Sequence, residues 1–329
     1  MSSFLFSEKP KQAAFKATSP YFSPSARTPA GGIYKGHAYP FCLPVECAAE
    51  NLYPGIRQEA LDYFSRHGIH WHDGQAGNPS NHLCDSQVCC VNFLFPFASH
   101  PEALAALLQH QFDIAEMLPV EDGLYVAFEW IGAENYLGER VPRNGQRTRG
   151  ANSTSADAAV KFRRTDGRVQ VVLIEWKYTE SYPSTWIRYA SSGTDRTAIY
   201  QHLYDADDCP LNKSQLQHFD DLFYEPFYQF MRQQFLAHKM EKAHEMGADV
   251  VSLLHISPEH NEDFKCITSP NLASLGNTAT RVWKRLVKPV DRFSAVSTEM
   301  LFGWFPAEDF PQMKDWWEYI RQRYDWVVL

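Results

Sequence analysis

The segment from residue 155 to residue 178 constrains this chain more than any other, because it has the pattern of two strands joined by a short turn. Ser155–Arg164 and Val169–Tyr178 are strand-like runs, and Arg163-Arg164-Thr-Asp-Gly-Arg168 between them has the composition of a turn. Alternate residues of a strand share a face, so Glu175 and Lys177 lie on the face of Val171 and Leu173. Two charges therefore end a run that is otherwise suited to a core. An unpaired buried charge is costly, which calls for a partner or a metal ion.

The length of the turn decides whether Asp157, in the first run, supplies that partner. A two-residue turn would place Asp157 opposite Trp176, on the wrong face of the sheet. A three-residue loop, Thr165–Gly167, pairs Arg164 with Arg168 and places Asp157 opposite Glu175. Glycine at the third loop position favours this loop, because that position requires a left-handed backbone. We therefore predict that the carboxylates of Asp157 and Glu175 converge, with Lys177 on the same face.

Two converging carboxylates beside a lysine form a chemical site that can hold Mg²⁺, an ion that prefers oxygen ligands and retains several waters. The lysine can then orient or deprotonate one of those waters. The alternative is a structural ion pair in which Asp157, Glu175 and Lys177 only satisfy one another.

The combination resembles the signature of the PD-(D/E)XK nuclease superfamily, an Asp on one strand and Glu-X-Lys on the next. Here these are Asp157 and Glu175-Trp176-Lys177. Over roughly residues 40–300 the sequence is similar to a bacterial group of restriction-endonuclease-like proteins. Four stretches carry this similarity: His82-Leu-Cys-Asp-Ser-Gln-Val, Arg149-Gly-Ala-Asn-Ser-Thr-Ser-Ala-Asp157, Ile174-Glu-Trp-Lys-Tyr-Thr-Glu-Ser-Tyr182 and Tyr224-Glu-Pro-Phe-Tyr-Gln-Phe-Met-Arg-Gln233.

The resemblance implies roles for individual residues. Asp157, Glu175 and the backbone carbonyl of Trp176 would bind Mg²⁺, for which Mn²⁺ could substitute, and Lys177 would position the attacking water. The superfamily usually adds an upstream acid, for which Glu129 is the first choice and Glu116 the rival. It also adds a polar residue on a later helix. Gln229 and Gln233 are the candidates, and they could contact the active site or the phosphate backbone. The alternative for both is a solvated polar surface, and the Gln-X-X-X-Tyr spacing of some relatives is absent.

Charge is distributed unevenly along the chain. The net charge is −8, yet residues 139–168 hold eight basic and three acidic residues, a local charge of +5. Arginine suits phosphate recognition, so the loop 138–150 predicts DNA contacts by Arg143, Arg147 and Arg149. The alternative is a soluble loop whose arginines pair with acidic helices.

A second cluster of candidate ligands is His70-Trp-His72, His82-Leu-Cys84 and Cys89-Cys90. Zinc binds such residues, but the usual Cys-X-X-Cys spacing is missing, and Cys89 and Cys90 would point opposite ways in a strand. We predict small core cysteines here. A zinc-stabilised interaction protein stays an alternative.

The remaining pattern indicates an α/β fold without internal repeats. We predict helices over 53–67, 101–118, 211–245 (broken near Pro226) and 311–324, and further strands over 124–131 and 248–256. Residues 1–50, with six prolines, predict an irregular arm packed on the body. Residues 51–329 would form one nuclease-like domain, with its core at about 101–260. That core is a helix, a three-stranded antiparallel meander, a helix and a further strand, elaborated at both ends.

The sequence therefore predicts an Mg²⁺-dependent deoxyribonuclease with a role in restriction or defence. The alternative is a non-catalytic DNA- or protein-binding member of the same fold. An odd count of seven cysteines and the lack of an eighteen-residue apolar run favour a cytoplasmic protein without a membrane partner. DNA is the expected partner, and a homodimer is left open.

Overall fold

A mixed six-stranded sheet organises the molecule. The structure is a computed structural model that describes residues 3–141, 145–151 and 153–327. A separate two-stranded hairpin precedes the sheet. The strands are β1 Gly32–Tyr34, β2 His37–Tyr39, β3 Ile114–Leu118, β4 Val126–Trp130, β5 Ala156–Arg164, β6 Val169–Trp176, β7 Val250–Ser257 and β8 Phe293–Ser297.

The sheet is antiparallel on one side and parallel on the other. β3 and β4 follow one another along the same edge of β5, and β5 pairs with β6, all antiparallel. β7 and β8 then continue the sheet in parallel with β6. This mixed α/β arrangement is compatible with a restriction-endonuclease-like fold.

Helices cover both faces of the sheet, so two hydrophobic cores lie on either side of it. The core on one face contains Val172, Ile174 and Trp176 of β6 with α2, α3, α4, α9 and α10, and the other contains Val171 and Leu173 with α5, α6 and α8. No helix in the described ranges is long and apolar enough to cross a bilayer. The helices are α1 Phe4–Thr18, α2 Arg57–Arg66, α3 Ser86–Leu94, α4 Pro101–Leu108, α5 Thr197–Asp205, α6 Phe227–Lys242, α7 Glu262–Lys265, α8 Ala279–Leu286, α9 Thr298–Gly303 and α10 Lys314–Arg323.

The prediction of an irregular arm over residues 1–50 is wrong for its first part, which forms α1. Its buried positions Phe4, Glu8, Gln12 and Lys16 recur every four residues, so most of the face that packs on the body is polar. Gln12 donates to the Tyr178 hydroxyl at 3.1 Å and to the Arg323 carbonyl at 3.0 Å. A search for apolar periodicity cannot find such a helix.

Three other predicted elements differ from the structure. The helix predicted over 101–118 ends at Leu108, and Ile114–Leu118 instead pairs with the free edge of β5. The helix predicted over 211–245 begins only at Phe227, directly after Pro226. Cys89 and Cys90 lie in α3, where both thiols are buried, and not in a strand.

Candidate active site

The β5–β6 hairpin has the register that the three-residue loop predicts. Ala158 pairs with Ile174, and Arg163 pairs with Val169. The Arg164 amide donates to the Arg168 carbonyl at 2.8 Å, and Gly167 has a φ of +88°. Continued by one residue, the register brings Asp157 level with Glu175, on the face that the metal-site hypothesis requires.

Glu175 is enclosed by two partners below the surface. Its side chain is 3% exposed, and one oxygen forms an ion pair with the Lys177 ammonium, which is 7% exposed. The other oxygen accepts a hydrogen bond from the amide of Gln233 in α6. Burial alone would lower the pKa of Lys177, but the charge of Glu175, joined by Tyr182 and Glu180, outweighs it and raises that pKa well above the ordinary value. Lys177 is therefore a cation at neutral pH.

Asp157 approaches the backbone of β6 from the neighbouring strand. Its Oδ2 accepts a hydrogen bond from the Trp176 amide at 2.7 Å. Burial raises the pKa of Asp157 well above the ordinary value, and the negative charge of Glu175 raises it further. The Asp157 carboxyl therefore favours the neutral form until a cation balances it.

Glu129 lies beside this pair, whereas Glu116 lies elsewhere. In β4, Phe128 pairs with Ala158 and Trp130 with Ala156, which brings Glu129 level with Asp157. Its backbone is left-handed at a φ of +50°, a conformation that costs a non-glycine residue about 1–2 kcal/mol. The side chain of Glu116 is 64% exposed and lies 3.6 Å from Arg163.

The Glu129 carboxylate is held by two side chains that the sequence analysis did not single out. Gln87 donates to it at 2.6 Å and Ser155 at 2.8 Å. Burial raises the pKa of Glu129, these two hydrogen bonds oppose the rise, and the Glu175 charge adds to it. Gln87 also accepts the His72 amide at 2.8 Å, which ties the loop before α3 to the site.

His255 extends the row of ionisable residues to a fourth strand. It pairs with Glu175 in the parallel β6–β7 register, and its ring stacks on Phe264 at 4.8 Å between centroids. Neither ring nitrogen has a hydrogen-bond partner among the described residues. Burial lowers the pKa of His255 well below the ordinary value, with a further decrease from Lys177, so the ring is neutral.

A cleft of about 580 Å³ opens onto this row. Glu225 lies nearby, since Lys177 and Glu175 both influence its carboxyl, whose pKa is raised chiefly by burial. Both Glu225 and Gln87 were missed because a sequence gives no sign of which distant loops meet a strand end. The residues that line the cleft include Leu5, Lys9, Tyr34, His72, Asp85, Gln87, Glu129, Ser155, Asp157, Trp176, Lys177, Glu180 and Gln229.

The residues predicted to contact DNA are placed differently from one another. Gln229 lines the cleft, while Gln233 is 1% exposed and holds Glu175 and the Ser155 carbonyl. Arg147 donates to the carbonyls of residues 131–133 at 2.7–2.9 Å. Arg149 forms an ion pair with Glu121 at 2.9 Å. Arg143 lies outside the described residues. The alternative from the sequence pairs these arginines with acidic helices, whereas the observed partners include backbone carbonyls and Glu121, which lies in no helix.

The donor set at the cleft fits Mg²⁺. Asp157 and Glu175 offer carboxylate oxygens, and Glu175 Oε1 has no hydrogen-bond donor among the described residues apart from its ion pair with Lys177. Within the described ranges, no group of three or more His, Cys, Asp and Glu side chains is arranged to hold a metal ion. Mg²⁺ usually needs only one or two carboxylates and keeps several waters. A closed zinc site needs four ligands, and neither the His70–Cys90 region nor the cleft provides them.

The comparisons agree with the geometry at the level of the family. The model of the family REase-ARP, described as restriction endonuclease associating with ARP, matches residues 15–325. Neither the curated proteins nor the solved structures contain a match to this chain. With nearly its whole length matched, the chain belongs to the family of restriction endonucleases associating with ARP.

Proposed function

We propose that this protein is a metal-dependent deoxyribonuclease that hydrolyses phosphodiester bonds in DNA as part of restriction or another defence. One observation carries the proposal: Asp157, Glu175 and Lys177 share a face at the end of two paired strands, beside an open cleft. Family membership supports a nuclease-like role.

Each of these residues has a distinct task in the proposed reaction. Asp157, Glu175 and the carbonyl of Trp176 would hold Mg²⁺, which when bound would supply Lewis-acid polarisation of the scissile phosphate and of a water. Lys177 orients the attacking water and stabilises negative charge that develops on the phosphate. Glu129 accepts a proton or anchors a water at the cleft side of Asp157. Gln233 keeps the Glu175 carboxylate in its rotamer.

The ion pair between Lys177 and Glu175 has two consequences for the site. It stabilises the carboxylate before a metal is bound, and it brings the lysine within reach of the atoms that react. The raised pKa of Asp157 means that metal binding displaces a proton from the site. Metal affinity should therefore increase with pH.

A second candidate function is a non-catalytic DNA- or protein-binding member of the same fold. It is favoured by the enclosure of Glu175, whose side chain is 3% exposed and already has Lys177 and Gln233 as partners. In that case the three residues form a structural ion-pair network, and the cleft binds without hydrolysis.

Cleavage of DNA separates the two functions. Supercoiled plasmid and linear duplex are incubated with the protein in Mg²⁺, in Mn²⁺ and in EDTA. We expect cutting with either metal only, and its loss in Asp157→Asn and in Glu175→Gln. Glu116→Gln is the matched control, because it removes an exposed carboxylate from the same sheet.

Two results would contradict the nuclease proposal. One is robust cutting by Glu175→Gln that survives repeated purification. The other is a wild-type protein that binds duplex DNA and shows neither cutting nor a rise in melting temperature with Mg²⁺. The second result would favour the non-catalytic alternative.

A further inference from the structure

The segment from Cys266 to Val290 contains basic residues and no acidic residue, in a chain whose net charge is −8. Its cations are Arg281, Lys284, Arg285 and Lys288. All four are exposed, and none of them forms an ion pair with a described residue. Their contribution of +4 is left uncompensated on one surface.

The helix α8 presents Arg281, Lys284 and Arg285 because its opposite face is already buried, and Lys288 follows its end. Val282, Trp283 and Leu286 are fully buried against the core on the Glu175 face of the sheet. Arg281, Lys284 and Arg285 at i, i+3 and i+4 share the outward face. Since no apolar face remains to enter a bilayer, a polyanion in water fits this helix better than a lipid surface.

Two grooves border this surface and share Arg281 and Lys284. One, of about 520 Å³, is lined by all four cations. The other, of about 480 Å³, runs along the edge strand β8 and includes Ala295 and Ser297. The acid of this second groove, Glu259, is paired with Lys265 at 2.8 Å.

The position of the surface relates it to the candidate active site. Ala295 pairs with His255, which pairs with Glu175, so the groove lies two strands from Glu175. At a strand spacing of about 4.8 Å, that separation is about 10 Å. Ala295 and Glu175 lie on the same face of the sheet, because paired residues share a face.

We propose that this α8 surface, formed by Arg281, Lys284, Arg285 and Lys288, binds the phosphate backbone of duplex DNA beside the scissile phosphate. Arg281, Lys284 and Arg285 share one face of the helix and Lys288 follows its end, so the four charges form a continuous surface that suits the phosphates of a strand. The inference rests on the proposed nuclease function because that function names DNA as the partner, but it does not require that the protein hydrolyses DNA. It also supplies the phosphate contacts that Arg147 and Arg149, with their internal partners, do not offer.

Salt dependence of DNA binding tests the α8 surface without any cleavage. A labelled duplex of about 30 base pairs is titrated by fluorescence anisotropy in EDTA at several salt concentrations. The slope of log affinity against log salt is negative. For Lys284→Gln/Arg285→Gln we expect it to become shallower by about 0.9 for each lost phosphate contact, hence by about 1.8 in total. With Arg281→Gln and Lys288→Gln added, this change should approach about 3.6, with affinity at about 100 mM salt weaker by roughly tenfold or more.

The matched control is Lys314→Gln/Arg321→Gln, which removes two exposed cations without ion pairs among the described residues from α10, on the other side of the sheet. Its slope should equal that of the wild type. Circular dichroism confirms folding, and the single variant Lys284→Gln serves if a multiple variant is unstable.

The outcomes separate this inference from the nuclease proposal. Equal slopes for wild type and the α8 variants would overturn the inference even if the protein cuts DNA. So would a wild-type self-association that the α8 variants abolish while DNA binding is unchanged, since the surface would then bind a second copy. A slope that becomes shallower only in the α8 variants supports the inference even in a protein that cuts nothing.

Discussion

Replacing Lys177 by methionine should destabilise the protein far more than removal of a surface lysine does. Lys177 and Glu175 are 7% and 3% exposed and form an ion pair. Without the cation, Glu175 keeps its hydrogen bond from Gln233 but becomes an uncompensated buried charge. Breaking a buried pair in this way costs about 3–5 kcal/mol. Glu175→Gln should cost somewhat less, because Asp157 and Glu180 also act on the Lys177 charge.

The double variant Glu175→Gln/Lys177→Met removes both charges and should recover most of the lost stability. Replacing both members of a buried pair is often neutral. We therefore expect the free energy of unfolding of the double variant to lie within about 1–2 kcal/mol of the wild-type value. With single-variant losses of about 4 and 3 kcal/mol, the coupling free energy from urea unfolding of all four proteins at neutral pH should then be roughly 5 kcal/mol. The exposed pair Lys265–Glu262, at 2.9 Å, is the control cycle and should couple by less than about 1 kcal/mol.

Additive effects of the two single variants would refute this reasoning, because they would mean that the two charges do not depend on each other in the folded protein. The cycle also decides how a cleavage assay is interpreted. Loss of cutting in Lys177→Met reports catalysis only if circular dichroism shows that this variant is folded under the assay conditions, because the double variant also lacks Glu175.

Three further predictions concern single residues. The raised pKa of Asp157 makes the folded protein bind a proton that the unfolded chain releases, so stability falls as pH rises above about 4. Asp157→Asn should reduce this fall in urea unfolding with EDTA at pH 5 and 8, although Glu129 and Glu225, whose pKa values are also raised, keep part of it; an unchanged fall would contradict the prediction. Glu129→Gly should be more stable than Glu129→Ala by about 1 kcal/mol, because glycine tolerates the φ of +50°, whereas Ala127→Gly in the same strand should be destabilising. Arg323→Met should lower the unfolding free energy by at least about 3 kcal/mol, because the buried guanidinium donates to Gln12, Asn51, Tyr319 and Leu83; a loss below about 1 kcal/mol in urea unfolding would show that water satisfies those acceptors.

The β5–β6 hairpin could be predicted from the sequence because its determinants are local. The strand runs, the turn and Gly167 lie within about two dozen consecutive residues. Their register follows from the loop length alone, and it fixes which side chains share a face. The central pair of the candidate site, Asp157 and Glu175, follows from that register without any knowledge of the remaining fold.

The parts that could not be predicted depend on partners distant in sequence. The helix α1 buries Gln12 against Arg323, more than three hundred residues away. The strand β3 exists because Ile114–Leu118 finds the free edge of β5. Neither contact leaves a periodic apolar signal, since one is polar and the other continues directly from a helical pattern. Local propensity was overridden by tertiary pairing in both places.

Several violations of local rules in this fold lie at one level of the sheet. Glu129 has a left-handed backbone within a strand, and His255 is a buried imidazole without a hydrogen-bond partner among the described residues. On the strands between them, Glu175 forms an ion pair with Lys177, and the charge of Lys177 also acts on the Asp157 carboxyl. Each of these features costs stability that an apolar residue of similar size would not cost. These destabilising features lie at matching positions on four neighbouring strands. A structural ion pair of Glu175 and Lys177 alone would not require the features on the other strands. The proposed cation and phosphate site accounts for this cost, because such a site needs charges held in place before the ligand arrives.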